Sequence, residues 1–377
     1  MLFCFLFGYE TLCAIDIYQK DPFIDNLISK MTIEEKVGQL LIVHFQGEEC
    51  NEIAKILIED LHIGGIIYYG WANNLSNPEK VRELSQSLQK CALETPLALE
   101  LFIAIDQEGG SICRLKEGFT VIPSSRAIGM SGDPFLAQIY SSIIAKELMD
   151  VGVNMNFAPV VDVNNDGVLR ERCFANDPKI VTAFAKAAIK GYQDKSVIPT
   201  IKHYPGYGNV SIDPHVDLPT NGRLLKDLEK IDLWPFFQLA SQVDAIMTAH
   251  ILVPALDPKH CATLSSKILS YLRNTMGFKG LIISDSLVMK GIQKGSESID
   301  EIAIRAFNAG CDILLLGGKQ LLEEKQGYEL NLSDLQKIHR SIVCAVTAGI
   351  ISESKLNEAV ARILQIKIKY LKRKSKG

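Results

Sequence analysis

The feature that most constrains the fold is a series of eight continuous apolar runs separated by amphipathic stretches. The runs are LLIVHF (40–45), GGIIYY (64–69), LFIAID (101–106), VNMNFAPVVDV (153–163), VIPTIKH (197–203), DAIMTAH (244–250), GLIISD (280–285) and CDILLL (311–316). They do not alternate with polar residues, which is typical of parallel strands buried on both faces. Eight such strands alternating with helices predict an α/β protein, a single (β/α)8 TIM-type barrel.

The stretches between these runs have helical periodicity. We expect helices within 21–39, 78–90, 134–149, 180–192, 221–238, 267–276, 299–309 and 354–370. Thr32 and Glu35 form an S/T-x-x-E pattern, which predicts a capping box at a helix start. Because no Pro/Gly/Ser-rich linker divides the chain, we expect one catalytic barrel domain over 17–377 with no second domain. Residues 1–16 are expected to be a signal-like or disordered segment.

Composition limits the partners that we expect. The 377-residue chain is 47% hydrophobic and has a formal net charge of −4, so no global field attracts nucleic acid. Apart from its first residues, no segment approaches the roughly 18 apolar residues of a membrane span. The apolar start, MLFCFLFGYETLCA, lacks the basic region of a secretory signal. We therefore expect a cytoplasmic monomer without nucleic-acid or membrane partners; export is the alternative if the apolar start is a signal peptide.

The nine cysteines are widely spaced and include no C-x-x-C pair. Most lie in apolar surroundings, such as Cys311 in GCDILLL. This usage is typical of small core residues in a reducing compartment rather than of disulfides or a zinc site. We expect no metal and no other cofactor.

Ionisable residues collect where the apolar runs end. They are Asp106, Asp162, Lys202, His203, His250 and Asp285. The ends of different barrel strands meet at the C-terminal face, where such barrels keep their active sites. Taken singly, His250 is also consistent with a core histidine, and Asp162 with a residue that caps the following turn.

A Gly/Pro-rich loop follows Lys202 and His203, in the stretch IKHYPGYGNVSIDPHVDLP (201–219). Within it, Asp213 and His215 are two positions apart. Loops on a rigid scaffold often carry functional residues, although a solvated turn is the simpler interpretation of this stretch by itself.

Three kinds of function fit these residues. In glycoside hydrolysis, Asp285 is the nucleophile and the Asp213–His215 pair supplies the proton. In a metal-dependent hydrolase, His203, Asp213, His215, His250 and Asp285 are ligands, although no H-x-H opens the first strand. In a sugar-binding barrel the chemistry is lost, and the intact Asp and His residues argue against that reading.

Eight ordered segments resemble the motifs of glycoside hydrolase family 3. They are AIDQEGGSICRL (104–115), NMNFAPVVDV (154–163), RERCFANDP (170–178), KHYPGYGNVSIDPH (202–215), MTAHILVPALDP (247–258), ATLSSKIL (262–269), GFKGLIISDSLVMKG (277–291) and AGCDILLL (309–316). Within that family the chain is similar to the bacterial β-N-acetylglucosaminidases of peptidoglycan recycling, which use an Asp–His dyad in a mobile loop. The resemblance implies a retaining exo-enzyme that removes terminal N-acetylglucosamine from GlcNAc-anhydromuropeptides.

The same resemblance implies a role for each site residue. Asp285 is the nucleophile of a glycosyl–enzyme intermediate, His215 the general acid/base and Asp213 its partner. The hydroxyls of the innermost N-acetylglucosamine are expected to bind a group of charged residues, Asp106, Arg114, Arg172, Lys202 and His203. Charge-assisted hydrogen bonds are suited to that task.

Many family 3 β-glucosidases carry their acid/base glutamate in a second domain after the barrel. The sequence here ends with the expected last helix, which leaves His215 as the expected proton donor. A histidine acid/base in this family is sometimes associated with phosphate as the acceptor, so an N-acetylglucosaminide phosphorylase is an alternative.

The chain also departs from the family pattern. Tyr207 stands in place of the histidine of GHG, and Asn209 in place of an aspartate. Pro214 replaces the serine of D-S-H, Ser111 an arginine after E-G-G, and Arg170 a glycine before Glu171. Pro214 fixes φ between the dyad residues and removes a backbone donor, so we expect its effect on turnover rather than on the type of reaction.

Overall fold

The computed structural model describes residues 21–164, 169–208, 210, 218–292, 297–319 and 328–371. Each of the eight predicted apolar runs contains one strand of a parallel sheet. The strands are β1 Leu41–Val43, β2 Gly65–Ile67, β3 Phe102–Ile105, β4 Gln107–Gly109, β5 Ile112–Cys113, β6 Met155–Asn156, β7 Ile198–Tyr204, β8 Ala245–Thr248, β9 Leu281–Ile283 and β10 Leu314–Leu315. β4 and β5 form a separate antiparallel pair that sequence periodicity did not predict.

The sheet has the order β10-β1-β2-β3-β6-β7-β8-β9, and its strand pairs are parallel. A parallel bridge between Ile283 and Ile313 joins the two edges. The Ser284 amide also donates to the Ile313 carbonyl at 2.9 Å. The predicted (β/α)8 TIM-type barrel is therefore confirmed, with a short closing seam between β9 and β10.

Helices surround the sheet. They are α1 Pro22–Lys30, α2 Ile33–Gln39, α3 Glu52–Glu59, α4 Pro78–Glu94, α5 Ser125–Met130, α6 Pro134–Asp150, α7 Pro178–Gln193, α8 Leu225–Lys230, α9 Trp234–Leu239, α10 Ser266–Ser270, α11 Ile299–Ala309, α12 Leu332–Thr347 and α13 Glu353–Tyr370. A π-helical turn, Tyr271–Thr275, continues α10.

Two predicted helical stretches are each divided in two. The stretch 21–39 breaks at Met31, because the Thr32–Glu35 capping box starts a new helix there. The stretch 221–238 forms α8 and α9, which meet at 231–233 ahead of Pro235. Proline is well suited to the first turn of a helix and poorly suited to its interior, which fits the new start at Trp234.

Most side chains of the barrel strands are apolar and buried. Ile42, Ile66, Ile103 and Ile246 on four different strands have no exposed surface. Each such side chain contributes about 1.5–3 kcal/mol on burial. Buried polar groups lie at both ends of the strands: Gln39, Asn154 and Asp312 precede β1, β6 and β10, whereas Lys202 and His203 lie near the carboxyl end of β7.

No helix in the described part of the chain is long and apolar enough to cross a membrane. Seven cysteines are described and all have free thiols; four of them are buried, among them Cys311. Cys344 is exposed, so the core assignment holds for part of the set.

Candidate active site

A cavity of about 1040 Å³ opens at the carboxyl ends of the barrel strands. It is lined by every described residue that the sequence placed in the site: Asp106, Arg114, Arg172, Lys202, His203 and Asp285. These residues come from five separate parts of the chain. Convergence at the strand ends, as predicted for a barrel, is what brings them together.

Lys202 lies at the centre of a charge network. Lys202 lies near the carboxyl end of β7, two residues before the strand ends, and its side chain is 2% exposed. Its Nζ donates to Asp106 Oδ1 at 2.7 Å and lies 2.8 Å from Glu108 Oε1. A buried ammonium needs such partners because an unpaired buried charge is costly. The pair Lys202–Asp106 thus places a donor and an acceptor side by side at the cavity.

Glu108 was not predicted as a site residue. Arg172 Nε and Nη2 donate to its two carboxylate oxygens at 2.9 and 2.7 Å, a bidentate pair. Burial alone raises the pKa of Glu108, but Arg172 and Lys202 hold that pKa well below its usual range. The carboxylate therefore stays charged and fixes the orientation of both cations.

The β4–β5 hairpin positions Glu108 and Arg114. Gly109 and Gly110 turn it with φ values of +99° and +57°, which residues with a side chain rarely adopt. A Cβ atom on Gly110 would lie 2.7 Å from Ser124 Cβ. Gln107 Oε1 accepts from the Arg114 amide at 2.8 Å and closes the turn. The glycine pair in the sequence was the signal for this hairpin.

The Arg114 guanidinium is less engaged than that of Arg172. Its Nη2 lies 3.8 Å from Asp106 Oδ2. Its Nε is buried and has no hydrogen-bond partner among the described residues. A buried donor that lines the cavity is available to a bound hydroxyl.

His203 is held by a carboxylate behind it. Its Nδ1 lies 2.8 Å from Asp162 Oδ2, and Arg172 Nη2 lies 3.4 Å from its Nε2. Asp162 Oδ2 also accepts from the His203 amide at 3.2 Å, and Oδ1 from the Tyr207 amide at 2.9 Å. Because a guanidinium only donates, the geometry suits the tautomer with its proton on Nδ1. Asp162 is therefore more than the turn cap that its sequence position allowed.

Asp285 follows β9 by two residues, and its side chain lines the cavity. Its Oδ1 accepts from the Ser286 amide at 2.8 Å, and its own amide donates to Thr248 Oγ1 at 3.3 Å. One carboxylate oxygen is thus fixed by the backbone of the next residue. This carboxylate shares the cavity with the charged cluster around Lys202.

His250, a residue of the metal-site alternative, lies in the core and has no exposed surface. Its Nε2 is 2.8 Å from the Ser286 carbonyl and its Nδ1 is 2.9 Å from Thr263 Oγ1. Both ring nitrogens are occupied, so His250 binds a metal only if these contacts break. Among the residues that the structure describes, no cluster of three or more His, Cys, Asp or Glu side chains is placed to hold a metal ion.

Asp213 and His215 lie outside the described residues, so their geometry stays a prediction. The chain that leads to them is anchored on its near side. Asn164 Nδ2 donates to the Gly208 carbonyl at 2.6 Å, and Asn221 Nδ2 to the Gly206 carbonyl at 3.3 Å. Tyr207, the departure from GHG, is buried against the His203 ring with 5.0 Å between centroids.

Asp232 lies against this anchor. A Cβ atom on Gly206, whose φ is +106°, would lie 2.8 Å from Asp232 Cβ. Burial raises the pKa of Asp232 to about 7, although Arg223 Nε lies 2.9 Å from its Oδ2. Asp232 is therefore a carboxyl group beside this anchor whose pKa lies near neutral pH.

An aromatic group forms one side of the cavity. Tyr69 and Trp71 stack with 4.9 Å between ring centroids, and Lys319 Nζ lies 4.6 Å from the Trp71 ring centroid. Burial, followed by the nearby Asp106 carboxylate, raises the pKa of Tyr69 well above its usual value. The Tyr69 hydroxyl therefore remains a donor at neutral pH.

Two exposed cations complete the opening of the cavity. Lys116 and Arg170 both line it, and in the described part of the chain no ion pair engages either of them. Arg170 is the residue that departs from the family glycine. The inner cations are paired with carboxylates. Among the described residues at the opening, these two exposed cations outnumber the one exposed carboxylate that lines it, Glu171.

Fold and site together define a (β/α)8 barrel with a charged, hydrogen-bonding cavity at the carboxyl ends of its strands. The chain belongs to glycosyl hydrolase family 3: residues 32–366 match the family's N terminal domain. The resemblance seen in the sequence motifs is therefore confirmed.

Curated relatives agree with this assignment. Beta-hexosaminidase A of Pseudoalteromonas piscicida is 34% identical over 384 residues, which cover 90% of this chain and 61% of that protein. Beta-hexosaminidase of Pseudomonas aeruginosa strain LESB58 is 34% identical over 279 residues, which cover 73% of this chain and 80% of that protein.

A solved structure, a glycoside hydrolase family 3 beta-N-acetylglucosaminidase from Paenibacillus sp. str. FPU-7, superposes with a TM-score of 0.83. It is 38% identical, and the match covers 89% of this chain and 62% of that one. The chain thus spans about three fifths of the length of this protein and of the Pseudoalteromonas relative.

Proposed function

We propose that the protein is a retaining exo-β-N-acetylglucosaminidase that removes terminal N-acetylglucosamine from peptidoglycan fragments, the GlcNAc-anhydromuropeptides. The observation that carries this proposal is one shared cavity. In it the Asp285 carboxylate lies with the charged cluster of Asp106, Lys202 and Arg172. A retaining mechanism needs one carboxylate close to the anomeric carbon of a sugar whose hydroxyls are firmly held. The hexosaminidase names of the relatives support the sugar specificity.

In the proposed mechanism the innermost sugar binds through its hydroxyls to Asp106, Arg114, Arg172, Lys202 and His203. Asp285 attacks the anomeric carbon while the glycosidic C–O bond breaks, and His215 gives its proton to the leaving oxygen. Asp213 orients the imidazole. Water then loses a proton to His215 and attacks the same carbon, which releases Asp285 and a sugar of retained configuration.

The opening of the cavity favours an acidic aglycone. Lys116 and Arg170 are exposed cations that line it, and the described residues place no carboxylate in an ion pair with either. The leaving part of such a fragment is acidic, through the lactyl carboxylate of a peptide-free muramic acid or, where that carboxyl is amide-bonded, through the carboxylates of the peptide. Complementary charge at this position favours such fragments over neutral chito-oligosaccharides.

Hydrolysis of 4-nitrophenyl N-acetyl-β-glucosaminide tests the reaction, with proton NMR of the first sugar product. We expect β-N-acetylglucosamine as the initial product and the same rate with and without EDTA. Loss of activity on chelation favours the metal-dependent hydrolase instead. No hydrolysis of this glycoside or of any anhydromuropeptide favours a binding-only barrel.

The outer cations also favour a second candidate, an N-acetylglucosaminide phosphorylase, because they attract phosphate as well as carboxylate. Product analysis in phosphate buffer separates the two. N-acetylglucosamine 1-phosphate identifies the phosphorylase, and its absence eliminates it. A cytoplasmic location, a monomeric state and the processing of residues 1–16 remain predictions, the last of which N-terminal sequencing of the native protein tests.

A further inference from the structure

A hydrogen-bond ring behind Asp285 uses three side chains that the proposed reaction does not. Thr248, His250 and Thr263 have no exposed surface. Thr248 Oγ1 accepts from the Asp285 amide at 3.3 Å and lies 2.8 Å from Thr263 Oγ1. Thr263 Oγ1 is 2.9 Å from His250 Nδ1. His250 connects this ring to Ser286, the residue that follows Asp285.

His250 closes the ring at Ser286. Its Nε2 lies 2.8 Å from the Ser286 carbonyl, and a carbonyl oxygen only accepts, so this nitrogen carries a proton. The Ser286 amide in turn donates to Asp285 Oδ1 at 2.8 Å. His250 therefore holds the residue whose backbone fixes one oxygen of the carboxylate.

We infer that His250 is a positioning residue for Asp285, acting through the Ser286 backbone. This inference rests on the proposed function, in which Asp285 is the nucleophile. A polar ring in a fully buried site is unnecessary for packing, because apolar side chains of similar size fill such space without hydrogen-bond requirements. Its geometry instead fixes the backbone on both sides of the Asp285 side chain. Attack at carbon is sensitive to such placement, since an error of about 1 Å costs on the order of 10²-fold in rate.

Two substitutions separate the hydrogen bonds of His250. In His250→Gln the amide nitrogen reaches the former position of Nε2 and still donates to the Ser286 carbonyl. In His250→Asn the shorter amide reaches the position of Nδ1 and keeps the Thr263 contact alone. The test measures kcat and KM on 2,4-dinitrophenyl N-acetyl-β-glucosaminide, whose leaving group needs little protonation, together with Tm.

We expect His250→Asn to lower kcat about 10²-fold with KM within about threefold of the wild type. We expect His250→Gln to recover most of that loss. Equal losses in the two variants overturn the inference, as does a loss confined to KM. If His250→Asn does not fold, His250→Leu takes its place, because a leucine side chain cannot donate to the Ser286 carbonyl. Thr263→Val, which breaks the ring on the Nδ1 side and keeps the bond to Ser286, should then lose much less kcat than His250→Leu. An equal or larger kcat loss in Thr263→Val contradicts the Ser286 route.

Asp285→Asn measured beside them distinguishes this inference from the proposed function. If Asp285→Asn keeps wild-type activity, the nucleophile assignment fails and the positioning role fails with it. If Asp285→Asn is inactive while the Asn and Gln variants at 250 lose activity equally, only the positioning role is overturned.

Discussion

Arg172 and Glu108 meet through two parallel hydrogen bonds of 2.9 and 2.7 Å, and the carboxylate side chain of this pair is 3% exposed. Glu108 also lies 2.8 Å from Lys202 Nζ, so one carboxylate compensates two cations. It is the electrostatic support of the residues proposed to bind the sugar.

Replacing Glu108 with Gln is expected to weaken both stability and binding. It leaves Arg172 without its buried counter-charge, and breaking a buried ion pair costs about 3–5 kcal/mol. We expect a clear fall in the free energy of unfolding at pH 7 and a raised KM. The control is Glu171→Gln, an exposed carboxylate that lines the same cavity and should change stability by less than about 0.5 kcal/mol.

The stability difference between the wild type and Glu108→Gln is also expected to depend on pH. The pKa of Glu108 is lower in the folded than in the unfolded protein, so its stabilisation is present above the unfolded pKa of about 4.3 and is lost as pH falls. The difference in unfolding free energy between wild type and Glu108→Gln should therefore shrink below about pH 4. A gap that stays constant from pH 7 to pH 3 contradicts the charge network.

The pH dependence of stability that we expect from Asp232 has the opposite sign. Its folded pKa of about 7 lies above the ordinary value of 3.8, so the folded state binds the extra proton. The stability that this proton brings is fully present below about pH 4 and is lost as pH rises through 7. Asp232→Asn stays neutral at every pH. The free energy of unfolding of this variant minus that of the wild type should therefore increase between pH 5 and pH 8. Chemical denaturation of both proteins at pH 5 and pH 8 measures this difference. If the difference instead decreases at pH 8, the ion pair of Asp232 with Arg223 dominates.

Lys116 and Arg170 are predicted to select for acidic aglycones. Arg170→Gln and Lys116→Gln should each lower kcat/KM on GlcNAc-anhydromuramic acid about two- to fivefold, as expected for one exposed charge contact. Activity on neutral N,N′-diacetylchitobiose should be unchanged, and high salt should reduce the wild-type preference. Lys279→Gln, at an exposed lysine outside the cavity, is the control. Equal losses on both substrates contradict this assignment.

His215 is predicted to be the acid/base. His215→Ala should lose about 10²–10⁴-fold on a natural disaccharide and far less on a dinitrophenyl glycoside, which needs little protonation to leave. With that activated substrate the covalent intermediate should accumulate, and azide should restore turnover as the β-glycosyl azide. If His215 only braces the loop, both substrates should suffer equally without a trapped intermediate, and Asp213→Ala should behave as a binding defect alone.

The barrel was predictable because each buried parallel strand is a short, continuous apolar run, and the next residues are polar at the C-terminal face. That local pattern identified Asp106, Lys202, His203 and Asp285, which the structure brings into one cavity. The Thr32–Glu35 pattern also indicated that a helix begins after Thr32, because a capping box marks a helix start.

The remaining site residues depend on contacts between distant parts of the chain. Glu108 and Arg172 are 64 residues apart, and only the folded hairpin turns the carboxylate toward the guanidinium. Lys319 reaches the Trp71 ring from the loop after β10. Local periodicity describes burial along one element and carries no information on such pairs.

Covalent trapping tests the assignment of Asp285 as the nucleophile most directly. The enzyme is incubated with 5-fluoro-N-acetyl-β-glucosaminyl fluoride, digested, and its peptides are mapped by mass spectrometry. We expect a single fluoro-N-acetylglucosaminyl adduct on Asp285, absent from Asp285→Asn. An adduct on another residue, or none from an enzyme that turns over N-acetylglucosaminides, contradicts it.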